Sequence, residues 1–420
     1  MDSFIIPFPI LLKLAASQPQ MMLKFLFYFS FLIIFYSYIG YGIILYISIK
    51  IKRLFRSSVS NNPLTDFEPE VTMVVPVYNE ADFIDLKIKN CMELNYPSGK
   101  LRWIFITDGS TDDSPDIIGR NDKILLLHQP ERKGKASAIN RVIKYVETPY
   151  VIFSDANTLI NPDAVKEIVK HYENPRVGGV SGEKIIISKE KDKASGAGEG
   201  IYWKYESLLK KLDSEFYTVV GAAGELFSIK TELFHIAAED TIIEDFVLSL
   251  QICMAGYVIR YEPKAFAIEN ASVSIKEEQK RKVRIAAGGF QAMQILKKLF
   301  NVFNYPVLSF QFISHRVLRW TLSPVCLIMG LLSNILLVYS RAGRFFWVFL
   351  LIQMVFYALA LTGWLFANRN IRVKTLYIPY YFLFMNLSLF LGYHRYLKKK
   401  QPVIWEKAAR YSPPDEKGRT

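Results

Sequence analysis

From Val71 to Asp113 the chain reads VTMVVPVYNEADFIDLKIKNCMELNYPSGKLRWIFITDGSTDD. An apolar run, Val71–Val77, ends in Pro76-Val77-Tyr78-Asn79-Glu80. A helical pattern, Ala81–Met92, follows, and a second run, Trp103–Thr107, ends in Asp108-Gly109-Ser110-Thr111-Asp112-Asp113. Two more runs lie downstream, Ile124–Leu127 and Tyr150–Phe153. A helical pattern over Lys135–Val146 separates them, and the last run ends in Ser154-Asp155-Ala156-Asn157. Alternation of strand and helix predicts an α/β domain with a mainly parallel sheet. Ligands of such sheets bind beyond the carboxyl ends of the strands. One Asp-Gly-Ser is ordinary turn chemistry; three carboxylate-bearing turns on one rim predict a site.

Outward from this core the composition splits. Of 420 residues, 51% are hydrophobic and 22% charged, which predicts apolar stretches beside a polar domain. Four segments approach bilayer length: Phe25–Ile49, Trp320–Tyr339, Phe345–Phe366 and Leu376–Tyr393. Lys50, Lys52, Arg53 and Arg56 follow the first, so it reads as an uncleaved anchor with the next segment in the cytosol. The expected layout is an anchor over 1–56, a cytosolic domain over 57–284 entered through the linker Ser57–Pro63, an amphipathic interfacial region over 285–316, about three spans over 317–397, and a basic tail over 398–420. That is a multi-pass protein of the cell (inner) membrane. One span before and three after would leave the C-terminus outside, whereas Arg395 and Lys398–Lys400 favour inside. Either the last segment is re-entrant or a further crossing lies near Leu299–Phe312. The 30 Phe, 24 Tyr and 6 Trp exclude disorder, and three cysteines exclude a disulfide scaffold. Net charge +13 sits beside apolar runs, which points to a lipid bilayer as partner and not to nucleic acid. His171 and His315 read as structural.

The rim suits a phosphorylated ligand with a divalent cation, Mg²⁺ or Mn²⁺, bridging a carboxylate to phosphate oxygens. Asp155 is the natural ligand. The basic loop Arg132–Asn140, with Lys135, could meet phosphate charge, and Gly134 permits close backbone approach. As a solvated loop it would do neither. Glu244-Asp245 precede an apolar helical run, and either cap it or supply a general base.

Pro76–Glu80, Asp108–Ser110, Arg132–Asn140, Asp155–Asn157, Gly221-Ala222-Ala223-Gly224-Glu225 and Ile243–Asp245 occur in an order that resembles the membrane polysaccharide-synthase branch of the family 2 glycosyltransferases, which includes poly-N-acetylglucosamine, hyaluronan and cellulose synthases. The resemblance implies a GT-A nucleotide-diphospho-sugar transferase domain flanked by transmembrane helices. It implies that Pro76, Tyr78, Glu80, Asp108, Lys135 and Asp155 bind a nucleotide-sugar, expected to be UDP-linked. Asp155 and Asn157 would hold the metal, and Asp245 with Glu244 would be catalytic. Gly224, Glu225, Gln279 and Arg281 would bind a saccharide or lipid-linked acceptor, with inversion at the anomeric carbon.

Three departures stand out. A single Asp precedes Gly109, Asn157 replaces a second acid, and the family's Gln-x-x-Arg-Trp motif is matched by Gln279 with Lys282 and Val283 in place of Arg and Trp. Lys280, Arg281, Lys282 and Arg284 could still meet diphosphate or face anionic lipid. The readings that remain are an inverting transferase of polysaccharide or cell-envelope glycan synthesis, a transferase of one sugar to a polyprenyl-phosphate carrier, and a nucleotide-binding scaffold without catalysis.

Overall fold

A computed structural model describes residues 8–55, 67–187, 195–272, 274–369, 371 and 373–398. The linker Ser57–Pro63, Arg56 and the tail from Lys399 onward lie outside the described residues. The chain opens with Phe8–Phe35 (α1), passes through a π-helical turn at Tyr36–Gly40, and continues as Tyr41–Leu54 (α2). The next elements are β1 (Val71–Val77), α3 (Ala81–Met92), β2 (Leu101–Asp108), α4 (Ser114–Gly119), β3 (Ile124–Gln129), α5 (Lys135–Val142), β4 (Tyr150–Ser154), β5 (Thr158–Ile160) and α6 (Ala164–Val169). After them come β6 (Val177–Ile187), α7 (Ser195–Phe216), β7 (Leu226–Lys230), α8 (Glu244–Met254) and β8 (Val258–Asn270). The last helices are α9 (Ile275–Ile295), α10 (Pro306–Phe312), α11 (Leu318–Trp320), α12 (Leu322–Tyr339), α13 (Arg344–Asn368) and α14 (Lys374–Leu397).

The eight strands form one sheet in the order β3-β2-β1-β4-β7-β6-β8-β5. The first four pair in parallel, as expected, and β6 with β8 is also parallel; β7 runs antiparallel to β4 and β6, and β5 antiparallel to β8. Pro76 is tolerated in a central strand because β4 pairs only with Val71–Val74, so no ladder on that side needs its missing N–H. Helices cover both faces. Ile84, Ile118 and Ile168 seal one, and Ile139, Val142, Phe246 and Leu250 seal the other. The glycines of β6 are spacing residues: a Cβ at Gly179 would lie 2.7 Å from the Ser228 carbonyl oxygen, and one at Gly182 2.8 Å from that of Ala265.

The segment expected to lie flat on a membrane does something else for most of its length. Ala292, Leu296, Leu299, Leu308 and Phe312 belong to the same core as α8. Helix α9 also runs unbroken across the expected boundary at 284/285. Gly288 approaches Ile242 and Ile243, and Gly392 of α14 approaches Ala286 and Ala287, so α9 is held between the domain and α14. Only the end of the segment is amphipathic in the expected sense, with Ile295, Phe300 and Phe303 exposed. Residues 297–312 hold a single 3-10 turn and the seven-residue α10, too short for a further crossing.

Among the described residues, four helices are long and apolar enough to cross a membrane: Pro19–Leu54, Leu322–Tyr339, Arg344–Asn368 and Thr375–Leu397. They coincide with the four segments read from the sequence. The last packs along α9, through Tyr381 to Glu278 at one end and Tyr396 to Gln294 at the other.

Domain and helices meet at a buried carboxylate. Asp213 of α7 accepts hydrogen bonds from Tyr41 of α2 and from Gln311 (3.0 Å), and pairs with His315 (2.6 Å). Two turns away on α7, Glu206 is paired with Arg316 (2.9 Å) and Arg319 (2.8 Å). Asp213→Ala should therefore strand three buried partners and cost about 3–5 kcal/mol, read as a lower melting temperature of the full chain in detergent. A loss below about 1 kcal/mol would show that the junction does not depend on it.

Candidate active site

The carboxyl ends of the parallel strands and the start of α8 converge on one amine. Lys135, first residue of α5, donates to Asp155 Oδ1 at 2.8 Å and lies 3.4 Å from Glu244 Oε1. Burial alone would lower its pKa, but Asp155, Glu244 and Asp245 together raise it. Gly224 leaves room for the contact: a Cβ there would sit 3.0 Å from Asp245 Oδ2 and 3.1 Å from Lys135 Nζ. Asp245 is pushed up to about 7, first by burial and then by Glu244, with Lys135 opposing. A carboxyl group that changes charge near neutrality is the property a general base needs. Neither acid is the helix cap that the sequence also allowed; Ile243 occupies that position, without a side-chain cap. A pocket adjoins the group, lined by Lys135, Asn140, Phe153, Phe234, Asp245 and Leu248 among others.

The turn that carries Asp155 is held from below. Lys87 of α3 is buried and donates to Ser154 Oγ (2.7 Å) and the Thr158 carbonyl (2.9 Å). Asn90 exchanges two hydrogen bonds with Ile160. Asn157 lies partly buried in the same turn. At the end of β2, separated from β4 by β1, Asp108 accepts from the Lys133 and Gly134 N–H groups, the latter at 2.6 Å. It thereby fixes the basic loop, and Gly134 adopts a left-handed φ of 96° there. A Cβ on Gly109 would lie 2.8 Å from Arg132 Cα, so loop and turn touch backbone to backbone. The Arg132 guanidinium stacks 3.4 Å from the centre of the Tyr78 ring. Glu80 takes the position before α3, its N–H bonded to Ser114 Oγ, and Pro76 lies within β1 below this rim.

The residues expected on the acceptor side separate into two groups. Gly224 lies beside Asp245 and Lys135. Glu225 instead pairs with the buried Lys184, which also pairs with Glu269, and with Arg281 at 3.4 Å. Burial would raise Glu225, but Lys184 and Arg281 hold it well below the usual carboxylate range. Arg281 lies near Glu278 (3.7 Å) as well as Glu225, and Gln279 is half-buried on the same helix. The side chain of α9 that approaches the carboxylates is Arg284. Its pKa is lowered to about 10 by burial and by Arg281, against the pull of Glu244, Asp155 and Asp245. Lys282, read from the sequence as standing for the motif's Arg, pairs with Glu278 (3.4 Å), and the backbone of Val283 faces α14. One face of the helix carries Arg281, Arg284 and Gly288, and Lys282 and Val283 lie off it.

With this geometry in hand, the comparisons with known proteins are specific. Residues 72–235 match the family model Glycosyl transferase family 2. Over 235 residues the chain is 29% identical to a poly-beta-1,6-N-acetyl-D-glucosamine synthase of Staphylococcus aureus (strain MSSA476), covering 53% of this chain and 55% of that one. The Staphylococcus epidermidis protein of the same name is 28% identical over 262 residues, or 60% and 62% of the two chains. The alignments thus span little more than half the length of these relatives. A mannosyltransferase of Pyrobaculum calidifontis, solved with GDP-Man and Mn²⁺, superposes with a TM-score of 0.65 at 22% identity, over 89% of this chain and 99% of that one. The fold is GT-A, as the sequence implied.

The raised Asp245 links the site to stability. Between the ordinary aspartate value of 3.8 and about 7, the folded chain holds a proton that the unfolded chain has released. Asp245 therefore takes stability away as pH rises through this window, and its full cost is present above about 7. Asp245→Asn removes that cost. Its melting temperature should exceed wild type at pH 8 by more than at pH 5; an equal difference at both would show an unperturbed carboxyl group.

Proposed function

We propose that this chain, carrying a family 2 glycosyltransferase domain over residues 72–235, is a membrane glycosyltransferase. It moves a sugar from a nucleotide-diphospho-sugar, UDP-linked by preference, to a saccharide or lipid-linked acceptor, with inversion at the anomeric carbon. The observation that carries the reading is Lys135 set between Asp155 and Glu244, with Asp245 beside it. The geometry supports a division of labour. Tyr78 with Arg132, Glu80 and the loop ordered by Asp108 face the nucleotide. Lys135 and Arg284 offset the diphosphate charge that grows as the bond to the sugar breaks. Asp245 takes the proton of the attacking hydroxyl, and Gly224 leaves that hydroxyl room. Glu225 and Arg281 shape the acceptor side through their ion pairs, with Gln279 beside them.

Among the described residues no group of three or more His, Cys, Asp or Glu forms a metal cage. The donor set still fits a hard divalent cation. Asp155 and Asn157 offer oxygen only, and the turn already attracts a cation, the Lys135 ammonium. Mg²⁺ and Mn²⁺ take one or two carboxylates and complete their shell with water and phosphate oxygens. Bound there, the ion would offset diphosphate charge.

The four apolar helices support a multi-pass protein of the cell (inner) membrane. The basic residues at the end of the first helix, Lys50, Lys52 and Arg53, support a cytosolic domain, where nucleotide-sugars are made.

Purified protein in lipid, given labelled UDP- and GDP-sugars, should yield lipid-linked or saccharide product; no transfer from any donor would overturn the reading. Wild-type turnover should rise with pH through about 7, because the charged Asp245 is the active form. Asp245→Asn should lower it about 10²–10⁴-fold while leaving UDP binding intact. An active asparagine variant would remove Asp245 from the mechanism. By calorimetry, UDP binding should need Mg²⁺ or Mn²⁺ and lose that dependence in Asp155→Ala. Equal affinity with metal, with chelator and in the variant would refute the metal assignment.

A further inference from the structure

Glu244 and Asp245 stand at the end of a segment with little structure of its own. Between the turn after β7 and the start of α8, residues 235–243 are irregular. Among the described residues, one backbone–backbone hydrogen bond lies inside this segment, from the Thr241 N–H to the Ala238 carbonyl (2.9 Å). Helix α8 starts without a side-chain cap, so no local device fixes its first turn. The path of the incoming segment must therefore decide where Glu244 and Asp245 are delivered.

Two side-chain amides set that path. Asn140 of α5 donates to the Ala237 carbonyl (2.7 Å) and accepts from the Ala237 N–H (3.0 Å). Gln291 of α9 donates to the Asp240 carbonyl (2.9 Å) and accepts from the Ile242 N–H (3.0 Å). Each amide exchanges a donor and an acceptor with the backbone, as a neighbouring strand would. A carboxylate at either position could not donate, and an apolar side chain could do neither. Gly288 lets the segment come this close to α9: a Cβ there would lie 3.0 Å from the Ile242 side chain.

The two anchors stand on the helices that also supply cations to the site. Helix α5 begins with Lys135. Helix α9 carries Arg284, Gly288 and Gln291 on one face, since steps of about four and three residues return to the same side of a helix. The elements that bring positive charge to the carboxylates thus also grip the chain that delivers those carboxylates. Asn140 further lines the pocket beside Asp245, together with His235 and Ala237 of the segment.

We propose that Asn140 and Gln291 are positioning residues for the transfer, holding residues 235–243 in the one path that keeps Asp245 beside Lys135 and in reach of the attacking hydroxyl. This rests on the transferase reading above and adds two residues to it. A shift of about 1 Å in a reacting group costs about 100-fold in rate, so a slack segment is felt in turnover before it is felt in binding.

The test uses the full chain in phosphatidylcholine nanodiscs, with whichever labelled nucleotide-sugar supports transfer. Gln291→Met and Asn140→Leu keep much of the side-chain bulk and lose the hydrogen bonds. Each should lower kcat about 10–100-fold, with donor KM and UDP affinity within about twofold of wild type. In an Asp245→Asn background, Gln291→Met should lower the residual turnover by less than about twofold, because the group it positions is already gone. Hydrogen exchange in peptides covering 235–247 should be faster in both single variants than in wild type. Unchanged kcat or unchanged exchange in either variant overturns the proposal. So does an equal loss in the wild-type and Asp245→Asn backgrounds, which would mark a general structural effect. If one variant does not fold, the other decides. Absence of transfer by wild type from any donor sinks the transferase reading and this inference with it; transfer by wild type with any of the overturning results sinks this inference alone.

Discussion

The site depends on one electrostatic constraint: several carboxylates must share a small, poorly hydrated space at the strand ends. Asp155, Glu244 and Asp245 come from elements far apart in the chain, and bringing them together unopposed would be strongly unfavourable. Lys135 is the counter-charge the structure supplies, bonded to Asp155 and close to Glu244. What surrounds it exists to keep that amine in place. Asp108 fixes the loop before it, Gly134 supplies the left-handed residue that starts α5, and Gly224 removes the side chain that would push it away. The arrangement leaves Asp245 as the acid least relieved by Lys135, and so the one whose proton can move near neutral pH.

A second layer of buried charge links this centre to the apolar helices. Lys184, Glu225, Glu269, Arg281 and Glu278 form one network, and Glu206, Arg316, Arg319, His315 and Asp213 another. Such pairs contribute little net stability compared with apolar packing, but breaking any one is costly. Their effect is to fix register: α7 has one seating against the first span and against α9. His171, held by Glu262, and His315, held by Asp213, are structural in this sense, as their lack of any motif suggested.

Much of this was legible in the sequence, for physical reasons that differ by element. Val71–Val77 and Ala81–Met92 were readable to the residue, because a buried parallel strand is a continuous apolar run and a turn with Asn79-Glu80 announces the helix. Asp155 stood out as a candidate because it follows a strand in a short polar turn, and Asp245 because the motif order that resembles the family places it at the start of an apolar helix. Strand β6 escaped because Gly178, Gly179 and Gly182 interrupt its pattern, and each is needed only for a neighbour that sequence does not show. Lys87 reads as a surface residue of an amphipathic helix; its partners at Ser154 and Thr158 exist only in the fold. Every position from Lys280 to Arg284 except Val283 is cationic, so composition could not tell which ones turn inward; the fold buries Arg281 beside Glu225 and Lys282 beside Glu278.

The first span has one more property with a mechanical meaning. Pro19–Leu54 is a single 36-residue helical rod, π-wound at Tyr36–Gly40. At 1.5 Å per residue it measures about 54 Å, against about 30 Å for the apolar slab of a bilayer. The surplus has to lean or protrude. Its far end is clamped to the end of α7, by Lys52 on the Phe216 carbonyl and Arg53 on Glu215. A thinner or thicker bilayer changes the lean of the rod, and the clamp turns that lean into torque on the helix that carries Trp203, Glu206, Lys210 and Asp213. Lipid thickness thereby becomes a mechanical input to the buried charges of α7.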